Sequence, residues 1–332
     1  MNIKGIIKLI IIISSVVIIS FIAYNYIEFE ISSSDYESNW TTFEDGADIN
    51  RGKAIESPST PPPGAYDHES VGSENDIDNS DNPNSLNYMS SDGSYFKFRL
   101  PAKSLLWTDG CSPTSGGMLC MYYNQIHNVD LIDYDDDPYH SISDVHTWED
   151  YCLPMDKDED QPIEDNSVDN NGNPIDAHTD RTIADFMETS RYSEDLKYGG
   201  TWSNKIGYGL CDYINSRNWQ VEYDFQETGD WSKAVHEIRW GRPFLISVDI
   251  DGDEDGKKST THTVICVGVQ KTPSKKYLLI YETWEHFGKD VAVHIEFNDV
   301  STGEPWSQDD FKYIKIIGAG TNENNYGLGD VF

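Results

Sequence analysis

Three residue types with acyl-transfer chemistry stand in a suggestive order along this chain: Cys111, His262 and Glu282. A thiolate, not a thiol, attacks a carbonyl, and an ordinary cysteine with a pKa of ~8.5 is mostly protonated at neutral pH. A helix N-terminus and an adjacent imidazolium both favour the anion. Cys111 follows Asp109–Gly110 and opens C-S-P-T-S-G-G-M-L-C-M-Y-Y, which reads as a helix with Pro113 in its first turn, where proline is tolerated. His262 heads the apolar run T-H-T-V-I-C-V-G-V, and Glu282 ends the next one, Y-L-L-I-Y-E. If those two runs pair as a hairpin, the acid is placed to orient the imidazole by accepting its second N–H.

The elements needed to bring these groups together are legible as patterns. Tyr95–Leu100 alternates as a short strand. Cys111–Tyr123, Thr182–Ser190, Tyr208–Ser216 and Trp231–Trp240 read as helices, the last closed by Gly241. Pro243–Ile250, Thr263–Val269, Lys276–Tyr281, Ala292–Phe297 and Tyr313–Gly318 are β-branched and aromatic, so they read as strands. Helices first and a mainly antiparallel sheet second make an α+β layout. The small residues Ser112, Ser115, Gly116 and Gly117 let another layer approach the Cys111 helix closely.

Trp107–Tyr123 resembles the nucleophile motif G-C-G-P-T-[SA]-x-x-M of papain-like cysteine peptidases. Within them the chain is most similar to peptidase family thirty-nine of the cysteine class, the bacteriocin-processing type, in its secreted single-domain branch. Gly241–Val269 resembles that group's G-[KR]-P-[VI] strand and the His strand after it. Tyr277–Trp284 resembles its strand ending in D-P-W, with Glu282 at the Asp position and Thr283 at the Pro position. The match runs from about Leu100 to Gly318, with an insertion between Asp130 and Ile175. The resemblance implies a papain-like fold, Cys111 as nucleophile, His262 as general base, Glu282 as orienter, and a peptide or protein substrate cleaved through a thioester. No cofactor is required by that chemistry.

Three positions depart from the motif. Ser112 stands for the usual Gly, Glu282 is one methylene longer than Asp, and no Gln precedes the Cys as an oxyanion donor. The Cys111 N–H would then supply one donor, with Ser104 or Asp109 as neighbouring polar groups. A peptidase-like binding or adhesion module without turnover is the alternative. There is no G-x-x-x-x-G-K-[ST] and no second apolar span, which excludes the exporting-ATPase role of the family's transporters.

Composition bounds the partners. The chain has 332 residues, 24 basic and 58 acidic, for a formal charge of −34, which excludes nucleic acid. Leu9–Tyr24 is apolar, with Lys4 and Lys8 before it and Glu28, Glu30, Asp35 and Glu37 after it. That arrangement orients the chain N-in, as a signal anchor in the membrane or a cleaved signal peptide over residues 1–27. Either places the remainder outside the cytoplasm, membrane-anchored or secreted. Residues 28–94, rich in Ser, Asp, Asn, Gly and Pro, read as an acidic disordered linker. Residues 95–332 then form the peptidase-like domain.

Cys120, Cys152, Cys211 and Cys266 are open to two disulfides in three connectivities, or to roles as buried small hydrophobes. Asp251, Asp253 and Asp255 match the opening of a calcium loop, D-x-[DN]-x-[DN]-G, but position 12 is His262 instead of Glu. Calcium is therefore a possible ligand there, not a requirement. The turn at Asp169–Asp176 is similar in composition. Trp148, Trp202, Trp219, Trp231 and Trp240 read as core and surface-ridge residues, not a carbohydrate platform.

Overall fold

The structure is a computed structural model. It describes residues 54–56, 60–63, 65–67, 70–77, 87–132, 182–189, 199–250, 261–297 and 306–319, apart from 92, 108 and 109, plus the main chain of three two-residue strands, Thr41–Thr42, Met155–Asp156 and Gln161–Pro162. The Leu9–Tyr24 run, most of the Asp130–Ile175 insertion, Asp109, Cys152 and the Asp251–Asp255 loop lie outside the described residues. No described helix is long and apolar enough to cross a membrane, and no described group of His, Cys, Asp and Glu is arranged to hold a metal.

Two strands whose every residue up to Gln270 is buried form the centre: Phe244–Asp249 and Thr261–Lys271, the latter carrying His262. Near-continuous apolar runs of this kind belong to strands covered on both faces. From them the main sheet extends both ways in the order Trp219–Gln226, Ser307–Ala319, Phe244–Asp249, Thr261–Lys271, Lys276–Tyr281, Val293–Glu296 and Val71–Ser73. Every neighbouring pair in that order is antiparallel. Phe96–Arg99 adds to the far half of the His262 strand, opposite Gly268 to Lys271, and pairs in turn with Asn87–Met89. Gly268 is required at that junction, because a Cβ there would lie 2.7 Å from the Phe98 carbonyl oxygen.

The helix Cys111–His127 packs on the His262 strand and on Phe244–Asp249. Gly116 faces the short helix Ile183–Phe186, which in turn packs on Ser203–Ser216. Trp231–Arg239 is capped by Asp230, whose carboxylate accepts from the Ser232 and Lys233 N–H groups, and closes at Gly241 in the left-handed conformation. The α+β class with a mainly antiparallel sheet is what the sequence pattern predicts.

The acidic stretch 28–94 is corrected where it is described. Ala54–Ile55 pairs with Thr201–Trp202, Val71–Ser73 extends the main sheet, and Asn87–Met89 pairs with Phe96–Arg99. Ile55, Ala65, Val71 and Ile77 are buried. The physical reason is that these short strands draw their hydrogen bonds and apolar contacts from partners up to 224 residues away (Val71 opposite Ile295), so no local period announces them. Glu74 shows the same principle for charge. Its carboxylate is 2.6 Å from Arg99 and 3.1 Å from Lys97, all three side chains being largely buried.

Candidate functional site

Strand pairing explains how Cys111 reaches the His262 strand. Pairing with Lys276–Tyr281 begins only at Ile265 opposite Tyr281, so that edge of the strand is unpaired before it. The first turn of the Cys111 helix fills the gap. The Thr263 N–H donates to Cys111 Sγ at 3.3 Å, and Ser115 Oγ donates to the Thr263 carbonyl at 2.9 Å. Ser112, at the motif's Gly position, places its hydroxyl 2.8 Å from Thr263 Oγ1. These three contacts clamp the helix start onto one residue of the strand. Cys111 Sγ thereby lies within roughly 6 Å of the His262 Cα, from the 3.3 Å contact and standard backbone bond lengths.

Gly110 makes this approach sterically possible. Its φ of 135° is a glycine conformation, and a Cβ would sit 2.7 Å from the Gly199 carbonyl oxygen. No side chain caps the helix at Gly110, which keeps bulk away from the amides around Cys111. Gly110→Ala should therefore cost about 1–3 kcal/mol for the backbone conformation alone, with the clash added. Denaturant midpoints check it, and a variant of unchanged stability would mean that the turn is not built as described.

His262 is fully buried, and its ring stacks on Trp284 at 4.1 Å with planes only 4° apart. Its Nε2 lies 2.5 Å from the main-chain carbonyl of Glu282. A carbonyl can only accept, so this contact assigns a proton to Nε2. Nδ1 is buried and makes no hydrogen bond among the described residues. The imidazole is thus held through one nitrogen, with the other unspent.

Glu282 does reach His262, but through its backbone. Its carboxylate instead accepts the His286 N–H at 2.8 Å and faces the Tyr66 hydroxyl. Tyr66 comes from the acidic stretch and stacks on His286 at 3.8 Å. Burial raises the Glu282 carboxyl above its ordinary range, against the lowering effects of His286, its own N–H, His262 and Tyr66. The expected carboxylate–imidazole hydrogen bond is therefore not the one made. The carboxylate is taken up by the His286 N–H, while the carbonyl at the strand end takes the orienting position.

That assignment has a consequence for stability. A carboxyl whose folded pKa is raised favours the folded chain below its unfolded value, and this contribution is lost as pH rises through the folded value. The native chain should consequently lose stability relative to Glu282→Gln as pH rises across and above the usual carboxylate range. Urea midpoints at successive pH values test this. A difference that stays flat, or grows in favour of Glu282, would show that the carboxyl is not held protonated by burial.

The turn after Glu282 is strained, with β-branched Thr283 at φ 73° and Glu285 at φ 50°. Its Thr283 carbonyl accepts the Trp107 N–H at 2.6 Å, which ties it to the segment just before Cys111. Ser104, expected as a polar neighbour of the Cys111 N–H, is engaged elsewhere. Its hydroxyl donates to Glu285 Oε1 and accepts the Asp290 N–H at 2.9 Å, so it belongs to the far side of this turn.

Cys120, Cys211 and Cys266 are buried thiols outside any disulfide, as is Cys111. Burial pushes Cys266 up to about 12 and Cys211 well upward, so neither is a nucleophile. Trp284, Thr263 and Tyr66 are the site residues that the sequence pattern does not single out, whereas Ser115 was among the small residues expected to admit a second layer. Trp284 lies inside the quoted D-P-W-like stretch, which was its available signal, whereas Tyr66 has none in its acidic surroundings. No family model matches the chain, and no curated protein is detectably similar to it.

Proposed function

We propose that this chain is a cysteine peptidase of papain-like architecture, related to the bacteriocin-processing type and acting on peptides outside the cytoplasm. The observation that carries the reading is the meeting of Cys111 Sγ with the Thr263 amide, one peptide from an imidazole whose Nε2 is engaged by the Glu282 carbonyl. In the proposed reaction His262 Nδ1 takes the Cys111 proton. The thiolate attacks the scissile carbonyl, the amine leaves with the proton from Nδ1, and water hydrolyses the thioester. The helix N-terminus favours the thiolate and the developing oxyanion. Orientation by a main-chain carbonyl, not a carboxylate, supplies the tautomer without a second charge beside the ring.

A binding or adhesion module is favoured by a different observation: Cys111 and His262 are both fully buried, and Ser104 is committed elsewhere. A peptidase of this geometry must open for substrate to reach the sulfur. Incubating the reduced full chain with a carbonyl electrophile that targets thiol peptidases, followed by peptide mapping, separates the two. Selective modification of Cys111, faster than that of Cys120, Cys211 or Cys266, supports the enzyme. Equal or absent modification at neutral pH supports the binding module.

A further inference from the structure

We propose that the folded chain joins Lys233 to Asp224 through an intramolecular isopeptide bond. This proposal is independent of the thiol chemistry. Asp224 lies in the strand Trp219–Gln226, directly opposite Tyr313. Lys233 stands in the first turn of the helix Trp231–Arg239 and contacts Asp224 Oδ2 through Nζ. The Lys233 side chain is 0% exposed and that of Asp224 is 12% exposed. Nζ sits 4.5 Å from the centre of the Tyr313 ring, which itself packs on Phe244 at 4.8 Å. The Gln226 amide donates to the same carboxylate at 3.3 Å. Glu237 is bound by Arg242 at 2.6 and 3.2 Å and Asp230 caps the helix through the Ser232 and Lys233 main-chain N–H groups, so Asp224 is the acid that meets the amine.

An amine nucleophile, a carboxyl electrophile, an amide donor on the carboxyl and an aromatic wall are thus assembled away from bulk water. Taking two charges out of water costs roughly several kcal/mol per ion by general estimate, a cost that amide formation removes. Proton transfer from the Lys233 ammonium to the Asp224 carboxylate produces a free amine against a carboxylic acid. Fixed contact of this kind reaches effective molarities on the order of 10⁵–10⁸ M. Nζ attacks Cγ and forms the N–C bond; the negative charge develops on Oδ1, while the Gln226 N–H holds Oδ2, the oxygen that has taken the proton and leaves. The bond from Cγ to the hydroxyl oxygen breaks, and that oxygen leaves with one Nζ proton as water. The atoms and charges balance: an ammonium and a carboxylate become a neutral amide and one water. The partly exposed side of Asp224 is the exit. By contrast, Lys205–Glu188 and Lys275–Glu296 are ion pairs with more than a quarter of each side chain exposed, and hydration keeps them ionic.

Trypsin reads the bond directly on the full chain after folding, denaturation and reduction. Lys233 is the one tryptic site between Arg217 and Arg239. The expected product is Asn218–Arg239, uncut at Lys233, one water lighter than its sequence, and giving no backbone fragments between residues 224 and 233. Asp224→Ala should restore cleavage after Lys233. If that variant fails to fold, the native digest decides alone. Cleavage after Lys233, with or without a loss of water at Asp224, overturns the proposal. So does an uncut peptide of full mass.

Discussion

Cys111→Ala is expected to abolish peptide hydrolysis, with a fall of roughly 10⁶-fold in turnover, the size seen when the nucleophile of a triad is removed. The thiol is the strongest nucleophile among the described groups beside His262, and the substitution leaves its scaffold largely intact. The Thr263 N–H loses its sulfur acceptor, which should cost only about 1–3 kcal/mol for a buried donor left unsatisfied. Turnover and stability are therefore predicted to separate. Hydrolysis of a peptide library by the reduced native chain and the variant, beside urea midpoints for both, measures each effect. Full hydrolysis by a folded Cys111→Ala chain would reject the proposed chemistry altogether.

The largest stability effect is expected at Glu74, in a stretch whose composition alone reads as a tether. Its carboxylate accompanies two cations, Lys97 and Arg99, in a place where all three are mostly shielded from water. Arg99 also donates to Tyr281 Oη and to the Asp290 carbonyl at 2.7 Å, which links the cluster to the strand that leads into Glu282. Glu74→Ala strands two positive charges and should cost about 3–5 kcal/mol. Replacement of exposed acids in the same stretch should change stability by under ~0.5 kcal/mol. Chemical denaturation of both sets checks this contrast. Equal, small effects would mean that residues 70–77 do not hold the sheet edge.

The elements that carry the site are those the amino-acid pattern describes best. Lys276–Tyr281 has the predicted bounds, and Thr261–Lys271 extends Thr263–Val269 at both ends. Both are dense in β-branched and apolar residues, and their neighbours supply the turn signals. Trp219–Gln226 was legible but unread: W-Q-V-E-Y-D-F-Q alternates strictly, and Val221 and Tyr223 are the buried members. Ser203–Ser216 begins five residues before the predicted Tyr208, and Thr182–Ser190 shortens to Ile183–Phe186, since helix ends depend on local caps and packing.

Sequence by itself determined the class of scaffold and nominated the residues whose types could carry chemistry, because both rest on side-chain type and on periods of a few residues. A sulfur at a helix start and an imidazole at a strand head are local facts. Only the tertiary structure decided that Thr263, Ser112 and Ser115 clamp that helix to an unpaired strand edge, and that the Glu282 carbonyl, not its carboxylate, holds His262. The same holds for Tyr66 and Glu74, which acquire burial from residues more than twenty positions away. Contacts of that range depend on strand register and the point where pairing stops, and no window of neighbouring residues contains that information.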